Sequence, residues 1–280
     1  MQKHDTFHID VKEILRSKAP KTAKKIPGVL VNWLAKLIKQ DEVNRFLEFN
    51  GDAEGVDFMN NATEYFKVNI KVVGEENLPD ASQRCFFVSN HPLGGMDGVL
   101  LSAYLGNRYA KNIKYLVNDI LYFLKPLRKI FVPVNKHGAQ ARHAVESLQK
   151  ALASDAQIIS FPAGLCSRKI NGVISDPHWK KMFITKAIEY QRDIVPVYFD
   201  GKNSNFFYNL ARLRKKLKIG FNIEMLFLPR EFFAAEGSSY TVYFGKPIPW
   251  QSFDNKRDMH DWTVHVRHIV YNLKKQLLEQ

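Results

Sequence analysis

Cysteine is nearly absent: the 280 residues contain only Cys85 and Cys166, at a spacing that suits neither a disulfide framework nor a metal site. Such usage fits a reducing compartment. Long apolar runs are missing as well. No stretch reaches the roughly 18 consecutive apolar residues of a membrane-spanning helix, so any use of lipid is expected from the membrane surface. The opening MQKHDTFHIDVKEILRSK lacks the continuous apolar segment of a secretory leader, and none is expected. No internal repeat, low-complexity tract or linker marks a second globular domain. The nine histidines form no tight ligand cluster in sequence, so no metal is expected. Acidic residues are the scarcer charge, with 28 Asp plus Glu against 41 Lys plus Arg and a formal charge of +13. That excess suits an anionic membrane surface, an acidic carrier protein or nucleic acid, and by itself does not choose among them. No zinc-finger or RNP-like motif accompanies it, which argues against nucleic acid.

What is present is an alternation of short apolar runs with helical spacings. Residues 68–73, 85–89, 113–117, 130–134, 156–161, 194–199, 222–228 and 239–244 read as strands. Residues 98–107, 121–129, 137–153 and 259–278 read as helices, with another ending near Tyr190. The pattern predicts an α/β fold, a mostly parallel central sheet flanked by helices. Pro196 in IVPVYF forgoes a ladder hydrogen bond, which predicts an irregular or edge position there.

Before the sheet, residues 5–17, with Asp5 or Thr6 as cap, 27–49 and 55–66 read as helices. An amino-terminal helical region is therefore expected over 1–67, and an α/β domain over 68–280. Over 27–49 an apolar stripe of Val29, Leu30, Trp33, Leu34, Leu37 and Ile38 lies beside Lys36 and Lys39. It suits either an interfacial helix or, the usual fate of such a stripe, core packing. Residues 203–218 repeat the theme, with Phe206, Phe207, Leu210, Leu213 and Leu217 beside Arg212, Arg214, Lys215, Lys216 and Lys218. This is the better candidate for a membrane surface, with a solvated basic face as its rival.

The stretch CFFVSNHPLGGMDGVLL carries the chemistry. Its first residues suit a strand buried on both faces. His91 follows the strand's carboxyl end, Gly94 and Gly95 permit a tight turn, and Asp97 stands where a helix cap is expected. At that sheet edge Asp97 can bond Nδ1 of His91, leaving Nε2 to take a proton from a substrate hydroxyl. The same residues also suit a plainer arrangement in which Asp97 only caps the helix and His91 only lies in the loop.

NHPLGGMD resembles the first signature block of the glycerolipid acyltransferase superfamily, of the lysophosphatidate acyltransferase type. FPAGLCSR, after the strand at 156–161, resembles the third block, and the Val-Pro of 194–199 resembles the fourth. Together these cover roughly 68–244. Five residues lie between His91 and Asp97, one more than the commonest pattern, and Ala163 stands where many glycerophosphate-using relatives carry glutamate. Both departures resemble a hemolysin-like branch that includes acyltransferases of aminolipids.

The resemblance implies an O-acyltransferase, transferring groups other than aminoacyl groups, that moves a fatty acyl group from an acyl-ACP or acyl-CoA thioester to the hydroxyl of a membrane lipid precursor. The favoured acceptor is an N-acylated amino-acid lipid of the lyso-ornithine or glycine type. Alternatives are a lysophosphatidate or lysophospholipid acyltransferase and a noncatalytic membrane-binding protein of the same fold. His91 would be the base, Asp97 its orienter, and Arg168 with Gly164 and Ser167 would hold the acceptor's anionic group. Backbone N–H groups around Gly94 and Gly95 would face the oxyanion or support the loop. Asn135 and Lys136 are weaker acceptor candidates, and Cys166 is read as structural. No bound cofactor is implied, and the expected location is cytoplasmic, peripheral on the inner face of the cytoplasmic membrane.

Overall fold

A computed structural model describes residues 8–18, 26–118, 121–122, 124–134, 141–254 and 256–279. Asn135 and Lys136 lie outside them, as do Asp5 and Thr6. Helix α1 (Val11–Lys18) is capped instead by Asp10, whose Oδ1 accepts from the N–H groups of Lys12 and Glu13 at 2.7 and 3.3 Å. The single helix expected over 27–49 is two, α2 (Gly28–Leu37) and α3 (Gln40–Asn50). Lys39 breaks it with φ +56°, in the left-handed region, and the break separates two fates of one apolar stripe. Phe46 and Leu47 of α3 enter the core, whereas α2 buries none of its residues. Helix α4 (Val56–Tyr65) then packs Val56, Phe58, Met59 and Ala62 inward.

The chain continues through β1 (Asn69–Val73), β2 (Cys85–Ser89), α5 (Met96–Arg108), β3 (Ile113–Val117), β4 (Phe131–Pro133), α6 (Ala141–Ala153) and β5 (Gln157–Ser160). A hairpin, β6 (Arg168–Ile170) with β7 (Val173–Ser175), precedes α7 (Met182–Glu189) and β8 (Asp193–Asp200). After these come α8 (Asn205–Lys216), α9 (Leu228–Ala234), β9 (Ser239–Phe244) and α10 (Met259–Leu278). Among the described residues the main sheet has seven strands in the order β1-β9-β8-β2-β5-β3-β4. Every pairing is parallel except β8 with β9, so the expected α/β fold with a mostly parallel sheet is present.

Strand β2 is central, and its period of two assigns the layers. Cys85 and Phe87 face a core shared with Phe46, Met59, Leu100 and Leu101; Phe86 and Val88 face one shared with Trp179, Phe183, Val266 and Val270. Helices on both faces leave the strand ends as the open edge, where ligands of such sheets bind.

Several local expectations are corrected. Residues 121–129 contain a 3-10 turn at Lys125–Leu127 around Pro126, rather than a helix. Residues 222–228 form a 3-10 turn, Ile223–Phe227, running into α9, rather than a strand. Their alternating pattern misleads because the fully buried residue is Glu224, drawn inward by arginines. Pro196 lies on an interior strand, at an irregularity: its carbonyl accepts from Gly245 N at 2.9 Å, between the β8–β9 ladder and a separate Ile194–Ile248 bridge.

Candidate active site

His91 lies just past the carboxyl end of β2, and the loop behind it folds back onto one carboxylate. Nδ1 of His91 is 2.9 Å from Oδ2 of Asp97. That oxygen also accepts from Leu93 N at 2.9 Å, and Oδ1 accepts from Gly95 N and Gly98 N at 3.1 and 2.9 Å. Asp97 is therefore no helix cap. It sits in the first turn of α5, fully buried, and reaches back into the preceding loop. The loop between His91 and Asp97 turns at Gly94, which has φ +74°; a Cβ there would come within 2.9 Å of Cys166 Cβ. The N–H of Gly94 also points at Asp97, at 3.4 Å, so the N–H groups of both glycines are directed at this carboxylate.

The imidazole packs against Phe161 at 4.2 Å between centroids with the rings tilted by 35°, and its side chain is 13% exposed. Nε2 is the nitrogen on the side away from Asp97. Burial is the largest influence on His91 and opposes its charged form. The charge and hydrogen bond of Asp97, helped by Asp176, outweigh burial and Arg168 and hold the ring above the ordinary histidine value. Burial likewise opposes the charged form of Asp97, yet His91 and the backbone N–H donors keep it below the usual carboxylate range. The pair can accept a proton at Nε2 and hold the resulting imidazolium.

The second motif is joined to the first through main chain. Ser167 N donates to the carbonyl of His91 at 2.7 Å. Gly164, at φ +64°, turns the loop after β5. The donors expected to face an acceptor are engaged internally: Ser167 Oγ donates to Asp176 at 2.6 Å, and Arg168 donates to the Cys166 carbonyl at 2.6 Å and to Glu224 at 2.9 Å. Glu224 is fully buried and also lies 2.9 Å from Arg214 of α8. Cys166 is buried, which pushes its thiol up to about 11, as a structural cysteine should be. Among the described residues, no group of three or more His, Cys, Asp or Glu side chains is placed to ligate a metal.

Sequence reasoning missed Asp176 and Glu224. Asp176 opens DPHWKK, where a carboxylate three residues before a buried tryptophan is a visible signal: Trp179 Nε1 donates to Asp176 at 2.8 Å. Glu224 gave no signal, since its partners lie 56 and 10 residues away in a segment that reads as a strand.

Comparison with known proteins shows the family to which the chain belongs. A family model described as "Acyltransferase" matches residues 13–279. The chain is 51% identical over 267 residues to the lyso-glycine lipid O-acyltransferase of Bacteroides thetaiotaomicron, covering 95% of this chain and 98% of that one. It is 46% identical over 267 residues to the lyso-glycine lipid O-acyltransferase of Phocaeicola vulgatus, covering 95% of each. Among solved structures, the 1-acyl-sn-glycerophosphate (LPA) acyltransferase of Thermotoga maritima is similar with a TM-score of 0.48 and 18% identity, covering 88% of each chain. With a family match across nearly its whole length and relatives about half identical over the same span, the chain belongs to the acyltransferase family.

Proposed function

We propose that this acyltransferase esterifies the hydroxyl of a lyso-glycine lipid with a fatty acyl group from an acyl-ACP or acyl-CoA thioester. The acceptor class comes from the names of the two relatives. The single observation that carries the mechanism is the 2.9 Å contact between His91 Nδ1 and a buried Asp97.

In this reaction Nε2 of His91 removes the hydroxyl proton as the oxygen attacks the thioester carbonyl. The oxyanion collapses, the carbon–sulfur bond breaks, and the departing thiolate takes the proton from the imidazolium. Asp97 holds the tautomer that leaves Nε2 unprotonated and favours the charged ring in the transition state. Arg168 and Arg214 share one carboxylate, Glu224, so the cluster keeps net positive charge beside the motif loop. That charge supports a role for Arg168 in drawing the acceptor's anionic group, with Gly164 and Ser167 shaping the loop that presents it.

The protein works on lipid at the membrane surface in this proposal, and its amino-terminal region takes part. Support comes from α2, whose Val29 and Trp33 are 82% and 53% exposed, and from Leu213, Leu217 and Phe221, exposed beside the basic residues of 205–218. No helix among the described residues is long and apolar enough to cross a membrane.

The test offers purified protein a labelled acyl-ACP and acyl-CoA with lyso-glycine lipid, lyso-ornithine lipid and lysophosphatidate in parallel. Ester formation on the glycine lipid well above the others is expected. Efficient turnover of lysophosphatidate alone would overturn the acceptor assignment.

A further inference from the structure

Asp176, at the end of the β6–β7 hairpin, is 3% exposed, and its carboxylate is fully occupied. Both oxygens face the N–H of His91, at 3.1 and 3.2 Å. Oδ1 also accepts from Ser167 Oγ at 2.6 Å and Oδ2 from Trp179 Nε1 at 2.8 Å. The residue is anchored from behind by α10: its own N–H donates to Tyr271 Oη at 2.8 Å, and Arg267 donates to its carbonyl at 3.2 Å. A carboxylate placed only to stabilise a hairpin would not need both oxygens on the main chain of a residue 85 positions earlier.

We infer that Asp176 is the positioning residue of this site, fixing His91 through its backbone as Asp97 fixes it through its ring, and clamping the two motif loops to α10. The inference rests on the proposal that His91 is the base. With Asp176 in place, His91 is held at every end: N–H by Asp176, carbonyl by Ser167 N, Nδ1 by Asp97 and ring face by Phe161. A base must stand within a fraction of an ångström of the proton it takes, and a misplacement of about 1 Å costs about a hundredfold. Two carboxylates then hold His91, one at its ring and one at its backbone N–H, and their charge favours the imidazolium that forms as the hydroxyl attacks.

The groups around His91 can be named from each side. Asp97 approaches from α5, Asp176 from beyond β7 and Arg168 from β6. The Cys166 thiol and the Tyr115 phenol, both pushed up by burial, are neutral near physiological pH. Asp176 itself is raised above the usual carboxylate range, burial outweighing its hydrogen bonds.

The experiment follows the His91 ring proton by NMR through a pH titration, assigned with His91→Gln, together with acyl-transfer kinetics. Asp176→Asn keeps the size, removes the charge and sets an amide NH2 against donors. Its His91 midpoint is expected to move to lower pH, and kcat to fall about ten- to a hundredfold with acceptor KM within about twofold. Asp176→Glu keeps the charge but displaces it, so kcat falls while the midpoint stays near that of the unmodified protein. Ser167→Ala, a milder variant that decides the matter if Asp176→Asn does not fold, is expected to lower kcat about three- to tenfold. Folded Asp176→Asn with midpoint and kcat both unchanged, or Ser167→Ala with unchanged kcat, would overturn the inference. If the unmodified protein transfers no acyl group, the proposed function fails, and the NMR midpoint still decides whether Asp176 acts on His91.

Discussion

At the residue scale the account turns on one imidazole and the carboxylate behind it. Because His91 is held above the ordinary histidine value, the neutral ring that a base requires forms only at higher pH. The acid limb of acyl transfer should therefore lie above that of a free histidine, with rate falling as pH drops through it. Asp97→Asn removes the charge that raises the ring and leaves the wrong tautomer available. It should lower kcat by about three orders of magnitude and move the limb to lower pH; a limb that moves upward would contradict the pairing. Gly94 is held by conformation and by space, at φ +74° and with Cys166 Cβ 2.9 Å from any added Cβ. Gly94→Ala should cost about 1–3 kcal/mol in thermal or urea unfolding and disturb the dyad with it. His91 and Asp97 were legible in the sequence because a strand, a glycine turn and a carboxylate follow one another closely. Asp176 was not, because what gives it meaning is a backbone N–H 85 residues away.

At the element scale, apolar pattern located strands and helices well and misjudged their breaks. Residues 259–278 fill one helix as expected, since a cap at Asp258 and an inward stripe agree. The break at Lys39 carries no glycine or proline to announce it, and the 3-10 turn at Ile223–Phe227 depends on Glu224 finding Arg168 and Arg214. Arg192 is a further case of a tertiary demand that pattern cannot reveal. Fully buried, it closes the end of α6 by donating to the carbonyls of Leu152, Ala156 and Ser154. Arg192→Leu strands those carbonyls and should destabilise the fold by about 3 kcal/mol in urea titration; a variant as stable as the parent would contradict that role. For α8, Arg212, Lys215 and Lys216 are exposed, and each is worth about 1 kcal/mol at an anionic bilayer. Replacing all three with Gln should weaken sedimentation with phosphatidylglycerol vesicles by about a hundredfold, whereas unchanged binding would remove this segment from the membrane face.

At the scale of the whole molecule, sheet, charge and site fit one task. A central strand buried on both faces delivers His91 to the sheet edge, and helices cover the two cores. The formal charge of +13 suits both an acidic carrier and an anionic bilayer. The sheet's order and its one antiparallel pairing were beyond the sequence, because apolar runs announce strands without naming their neighbours. The most direct test of the account is the single-turnover rate of acyl transfer to lyso-glycine lipid by the parent protein and by folded His91→Ala. The account predicts ester formation by the parent and a loss of at least about a hundredfold in the variant. Equal rates in the two would contradict it.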